Sequence, residues 1–119
     1  NLANAFVAIE DKHFFDHNGV DWKRTAGAFI NEFVPIYSSR QGGSTITQQL
    51  IKNQILTNEV SYERKAKEIL LAMRIEKFMT KEEILEFYLN YWFILLPIII
   101  VVCLIGIYIL KKRENKFGL

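Results

Sequence analysis

Read from its amino end, the chain sets short apolar clusters at helical spacing between brief polar breaks, then turns continuously apolar near its carboxyl end. Residues 2–9 (LANAFVAI) predict a short helix reaching into Glu10. The stretch HNGVD breaks it, with Asn18-Gly19 as a turn signal and Asp21 placed to cap a helix over 22–33. In that helix Trp22, Ala26, Phe29, Ile30 and Phe33 share one face, and Pro35 is expected to close it. Residues 35–43 then predict a polar, glycine-ended loop. Ser44 is the expected cap of a helix over 45–56 with Ile46 and Leu50 inward. Ser61 is the expected cap of a helix over 62–78, where Ala66, Ile69, Leu70, Met73 and Phe78 form an apolar stripe. Thr80 and Glu83 have capping-box spacing and open a helix over 81–89, with Ile84, Leu85, Tyr88 and Leu89 on one side. No stretch alternates apolar and polar convincingly over five residues, so an all-helical cluster is expected.

From Tyr91 to Leu110 no residue carries a charge. As a helix this run is roughly 30 Å long, enough to cross the hydrocarbon core of a bilayer. Only Asn90 separates it from the helix before it, so the two are expected to join with little or no loop. Tyr91, Trp92 and Tyr108 suit interfacial aromatic belts, and Pro97 is tolerable in the first turns of a spanning helix. A buried helix of a soluble protein is the weaker alternative, because twenty apolar residues in a row would need a far larger core around them.

The chain has 119 residues, room for one domain. This excludes a multidomain enzyme, a doubly wound nucleotide fold of normal size and a conventional soluble protein. Charge is divided: residues 1–90 hold 11 Lys/Arg and 12 Asp/Glu, whereas residues 91–119 hold four Lys/Arg and one Glu. Lys111, Lys112, Arg113 and Lys116 directly follow the apolar run, which predicts a cytoplasmic carboxyl end and an extracytoplasmic segment 1–90. The basic excess therefore reads as topology and not as affinity for nucleic acid. Cys103 is the single cysteine, which excludes a disulfide framework. The start at Asn1 lacks an initiator methionine, so a fragment or a processed form is expected.

Three polar stretches offer chemistry. In EDKHFFDH, Glu10 and Asp11 follow an apolar run, where a partly buried carboxylate would suit general acid–base work; a surface glutamate at a helix end is the plainer alternative. His13 and His17, with Asp16 and Glu10 nearby, could suggest a metal site, but HExxH is absent. A hydrogen-bonded His17 tying down the Asn18-Gly19 turn is the preferred reading. In GGSTITQQLIKN the glycines and Ser-Thr pair lack the Walker order, while Thr45, Gln48, Gln49, Lys52 and Asn53 form an amide-rich face suited to sugars, or an ordinary solvated face. In SYERKAKE, Arg64, Lys65 and Lys67 crowd helix turns where the macrodipole disfavours cations. A compensating anion is expected there, and Glu68 is spaced to pair with Arg64. The span Ser61 to Lys81 is net +3, a patch able to attract lipid phosphate or pyrophosphate, or simply a solvated charge run.

Together these segments resemble the peptidoglycan glycosyltransferase domain of class A penicillin-binding proteins and their monofunctional relatives, glycosyltransferase family 51. Four ordered motifs carry the resemblance: EDKHFFDHNGVD at 10–21, GGSTITQQLIKN at 42–53, RKAKE at 64–68 and KEEILEFYLN at 81–90. They cover nearly all of residues 1–90. The resemblance implies an all-α, lysozyme-like transglycosylase fold, truncated, followed by one C-terminal transmembrane helix over 91–110 and a basic cytoplasmic tail over 111–119. It implies a peptidoglycan glycosyltransferase that polymerises lipid II at the bacterial cytoplasmic membrane and releases undecaprenyl pyrophosphate. Glu10 matches the general base and Glu68 the second essential glutamate, on the donor side. Asp11, Phe14 and His17 match residues that position and shape the site of Glu10. Thr45, Gln49, Lys52 and Asn53 match the polar wall of the cleft, and Lys52, Arg64 and Lys65 match cations near the donor phosphates. The implied partners are lipid II, the growing glycan strand, the membrane and other cell-wall synthases, with no nucleic acid. The one cofactor it allows is a divalent cation, Mg or Mn, at the donor pyrophosphate.

The chain departs from the family where YLN meets a membrane-like segment instead of a glycine-rich stretch and further helices. The anchor follows the catalytic segment instead of preceding it, and no transpeptidase domain is present, so penicillin binding is not expected. Two rivals stay open: a truncated, inactive membrane protein that binds glycan or lipid II, and a muramidase-like hydrolase.

Overall fold

The computed structural model describes residues 1–33, 42–56 and 61–118. Among them are five helices and no strand: α1 Leu2–Glu10, α2 Trp22–Phe33, α3 Ile46–Gln54, α4 Tyr62–Ile75 and α5 Lys81–Phe117. The all-α expectation holds. The stop at Pro35 and most of the loop over 35–43 lie outside the described residues.

Local chemistry sets the helix ends. The Asn1 side chain accepts from the Ala3 amide at 2.8 Å and caps α1. The amide of Asp11 still donates to the Val7 carbonyl, but its φ of −157° leaves the helix there. Asp21 accepts from the Arg24 amide at 3.1 Å and opens α2, as its position predicts. Ser61 caps α4 through the Arg64 amide. Thr80 and Glu83 form the reciprocal pair expected at the start of α5, at 2.8 and 3.2 Å. α3 differs: its cap is Thr45, not Ser44, and Thr45 forms a full capping box with Gln48. Ser44 instead accepts a hydrogen bond from Lys65 at 2.8 Å.

The chain divides into two compact units, Asn1–Tyr88 and Leu89–Leu119. In the first, Val20, Ile51 and Ala72 pack together, with Leu56, Ile69, Leu71, Met73 and Ile75 against them. Ile46, Leu50, Ile84, Leu85 and Tyr88 are buried as their spacing predicts, and each fully covered aliphatic side chain contributes about 1.5–3 kcal/mol. Parts of two predicted apolar faces stay outside. Leu70 and Phe78 are exposed, because the buried side of α4 runs through Glu68 and Ala72 and the helix ends at Ile75. Trp22, Phe29 and Ile30 are exposed as well: α2 meets the body of the unit through its small and polar side, where Thr25 donates to the Gly43 carbonyl at 3.2 Å.

The second unit is the remainder of α5. The helix continues without interruption from Lys81 through Pro97 to Phe117, so no loop precedes the apolar run. It is long and apolar enough to cross a membrane, and none of its most apolar stretch is buried. Cys103 is exposed on it.

Candidate active site

The first turn of α3 is the hub of the polar interior. Thr45, Thr47 and Gln48 are fully buried; Glu76, Glu68 and Glu10 accept from the side chains of Thr47, Gln48 and Gln49, and Asp11 accepts from the Ile46 amide.

Glu10, the last residue of α1, is half-buried, and its Oε2 accepts from Gln49 Nε2 at 3.2 Å. Gln49 is oriented in turn by the Tyr88 hydroxyl, which donates to its Oε1 at 3.1 Å. Asp11 beside it is fully buried. Its Oδ2 accepts from the Ile46 amide at 3.0 Å and contacts His17 Nε2 at 2.8 Å. Its Oδ1 lies 3.6 Å from Arg24 Nη1. Oδ2 is thus hydrogen-bonded, whereas the buried Oδ1 has the Arg24 guanidinium nearby but no hydrogen bond.

His17 does what its place beside the turn predicts. Its Nδ1 accepts from the Gly19 amide at 3.2 Å, which leaves Nε2 as the donor to Asp11. Both nitrogens are thereby engaged in hydrogen bonds. His13 is exposed and faces Asp16 at 3.6 Å. Phe14 is fully buried, edge-on to Phe15 and His17, with the Lys81 ammonium 4.6 Å from its ring centroid. Lys81 also pairs with Glu76 at 2.7 Å, and Glu76 accepts from the Thr47 hydroxyl at 2.7 Å.

Glu68 is buried on α4. Its Oε1 accepts from Lys65 Nζ at 2.7 Å and from Gln48 Nε2 at 3.4 Å. Lys65, three residues before Glu68, makes this ion pair and also spans to Ser44. Lys67 pairs with Glu63 at 2.8 Å on the surface. Two of the crowded cations are therefore matched by glutamates of their own helix. Arg64 is half-buried in the first turn of α4, and Lys52 and Asn53 are exposed in the last turn of α3.

Glu10 and Glu68 are thus held by consecutive residues, Gln49 and Gln48. Both carboxylates therefore meet the first turn of α3. Thr45 is spent inside: its hydroxyl donates to the Gly19 carbonyl at 2.7 Å and accepts from the Gln48 amide at 3.2 Å. Sequence reasoning missed Gln48 as an interior group, the polar contacts made by Arg24, Ser44, Glu76 and Lys81, and the hydrogen bond of the Tyr88 hydroxyl. The spacing of Thr45 and Gln48 was the readable sign of the first. Among the described residues no three His, Cys, Asp or Glu side chains are placed to hold a metal ion. A separate cavity of about 640 Å³ lies on the outer side of α4, between Leu70, Leu71, Met73, Phe78 and the cations Lys67, Arg74 and Lys77, and contains none of the predicted site residues.

Residues 1–94 match the family model described as Transglycosylase. Penicillin-binding protein 1A of Clostridium perfringens (strain 13) is 56% identical over 93 residues, covering 76% of this chain and 14% of that protein. The protein of the same name from Clostridium tetani is 50% identical over 93 residues, covering 76% of this chain and 12% of its own length. That of Rickettsia felis is 50% identical over 95 residues, covering 78% and 12%. The chain therefore spans about a seventh or less of the length of these curated relatives.

Proposed function

The chain belongs to the transglycosylase family, and on that premise we propose that residues 1–90 perform peptidoglycan glycosyl transfer, joining lipid II into glycan strands and releasing undecaprenyl pyrophosphate. The observation that carries this reading is the pair of carboxylates held at the first turn of α3, each fixed by its own glutamine.

In this reading Glu10 is the general base. Gln49 holds Oε2, while Oε1 takes the proton of the acceptor sugar's 4-hydroxyl. The freed oxygen attacks the anomeric carbon of the lipid-linked donor, and the bond to the pyrophosphate oxygen breaks with inversion. Asp11 and His17 fix the turn that follows Glu10, and Phe14 seals the site beneath them. Glu68 acts through Lys65, whose ammonium it anchors where charge gathers on the leaving pyrophosphate. Arg64 and Lys52 add positive charge on the donor side, and Gln49 and Asn53 belong to the polar wall, which the buried Thr45 supports from inside.

The apolar run over 91–110 is the membrane span, with the basic tail 111–119 in the cytoplasm and residues 1–90 outside. Lipid II, the growing glycan strand and neighbouring cell-wall synthases are then the partners. Labelled lipid II in detergent tests the reading: the chain yields polymer, and Glu10→Gln abolishes it while lipid II still binds. Binding without polymer, or shortening of preformed glycan, would overturn it in favour of a binding protein or a hydrolase. Orientation is tested in a Cys103→Ser background, where Asn115→Cys reacts with an impermeant maleimide only after the cells are opened.

A further inference from the structure

Gln48 is fully buried, and a buried amide must place its donor and its acceptor differently. Its Oε1 accepts from the Thr45 amide at 3.0 Å, completing the cap of α3. That bond fixes the orientation of the side-chain amide, so the NH2 group is the end facing Glu68 Oε1, at 3.4 Å. Capping does not require this arrangement. A glutamate three residues after a threonine cap would accept from the same backbone amide equally well. Glutamine alone can accept from the cap and donate to a carboxylate in one side chain.

The rest of the turn serves the other carboxylate. The Ile46 amide donates to Asp11, the residue after Glu10, and Gln49 donates to Glu10 itself. The Thr45 hydroxyl donates to the carbonyl of Gly19, whose amide holds His17. One turn of helix therefore receives the supports of both glutamates. We propose that Gln48 is a positioning residue that ties the Glu68 carboxylate to the cap of α3 and so sets its place relative to Glu10. This rests on the glycosyl-transfer reading above for its catalytic meaning, though not for its geometry.

Gln48→Glu is the decisive variant, since it keeps the acceptor for the Thr45 amide and removes the donor to Glu68. With labelled lipid II it is expected to lower kcat at least tenfold with KM within twofold of the parent; polymerisation at the parental rate would overturn the proposal. A second measurement needs neither activity nor a folded Gln48 variant. In a 1H–15N spectrum of the full chain in detergent, the Gln48 side-chain amide signals are expected to shift when Glu68→Ala is introduced. Signals that stay in place would overturn the positioning role. A parent protein that makes no polymer would sink glycosyl transfer alone, and the spectrum would still decide the role of Gln48.

Discussion

Gly19 lies against the backbone of Ala72: a methyl group on its Cα would fall 2.6 Å from the Ala72 carbonyl oxygen and 3.0 Å from the Met73 amide nitrogen. Its φ of +95° adds a second constraint, since side-chain-bearing residues rarely adopt it. The turn after α1 can therefore touch α4 only through a residue without a side chain. Gly19→Ala is expected to destabilise the first unit by about 2–4 kcal/mol, combining backbone strain with overpacking. Urea unfolding followed by circular dichroism measures it, and a loss below half a kcal/mol would show that the turn moves away freely.

The two threonine caps should differ in cost. Thr80 is exposed, and Thr80→Ala removes an ordinary capping box at about 1 kcal/mol. Thr45 is buried with both hydroxyl functions used, so Thr45→Ala also strands the Gly19 carbonyl and should cost about 2–3 kcal/mol. Parallel unfolding curves for the two variants test the order; equal costs would contradict it.

Lys65→Met leaves Glu68 buried without its ammonium partner, with Gln48 still donating. Breaking a buried pair from one side typically costs about 3–5 kcal/mol, and the lower end applies because Lys65 is 40% exposed. Adding Glu68→Gln to Lys65→Met should restore part of the loss, since no charge then remains unpaired. Absence of any rescue in the double variant would mean that the two residues do not share an ion pair.

On the surface the pH dependence has a definite sign. The Lys67 hydrogen bond, and then its charge, hold the Glu63 carboxyl below its ordinary value of 4.5. A depressed folded value adds stability above the unfolded value, and that increment disappears as pH falls through the folded one. Glu63 is fully exposed, so the increment is small. The parent and Glu63→Gln should melt almost together at pH 7 and indistinguishably at pH 3. A growing gap on acidification would reverse the sign.

Much of this fold is legible along the chain because local rules decide it. The Asp21, Ser61 and Thr80 caps follow from spacing alone, and so do the seamless entry of α5 into the apolar run and the tethering of the turn by His17. What is not legible depends on which side of a helix meets its neighbours. Glu68 and Ala72 are the inward residues of α4, and periodicity cannot rank a buried carboxylate above Leu70 and Phe78. Likewise α2 presents Thr25 to the body and leaves Trp22, Phe29 and Ile30 outside, against the usual preference. Ser44 and Thr45 are both competent caps, and the Gly19 carbonyl decides between them.

Serving two acids from adjacent positions makes α3 intolerant of any change in length. Adding or deleting one residue between Thr45 and Gln49 would rotate everything downstream by about 100° and disconnect at least one of the acids. Compensation would have to come from α1 and α4 together. Variation within this enzyme family should therefore enter by substitution at these positions, while gaps and extra residues accumulate elsewhere.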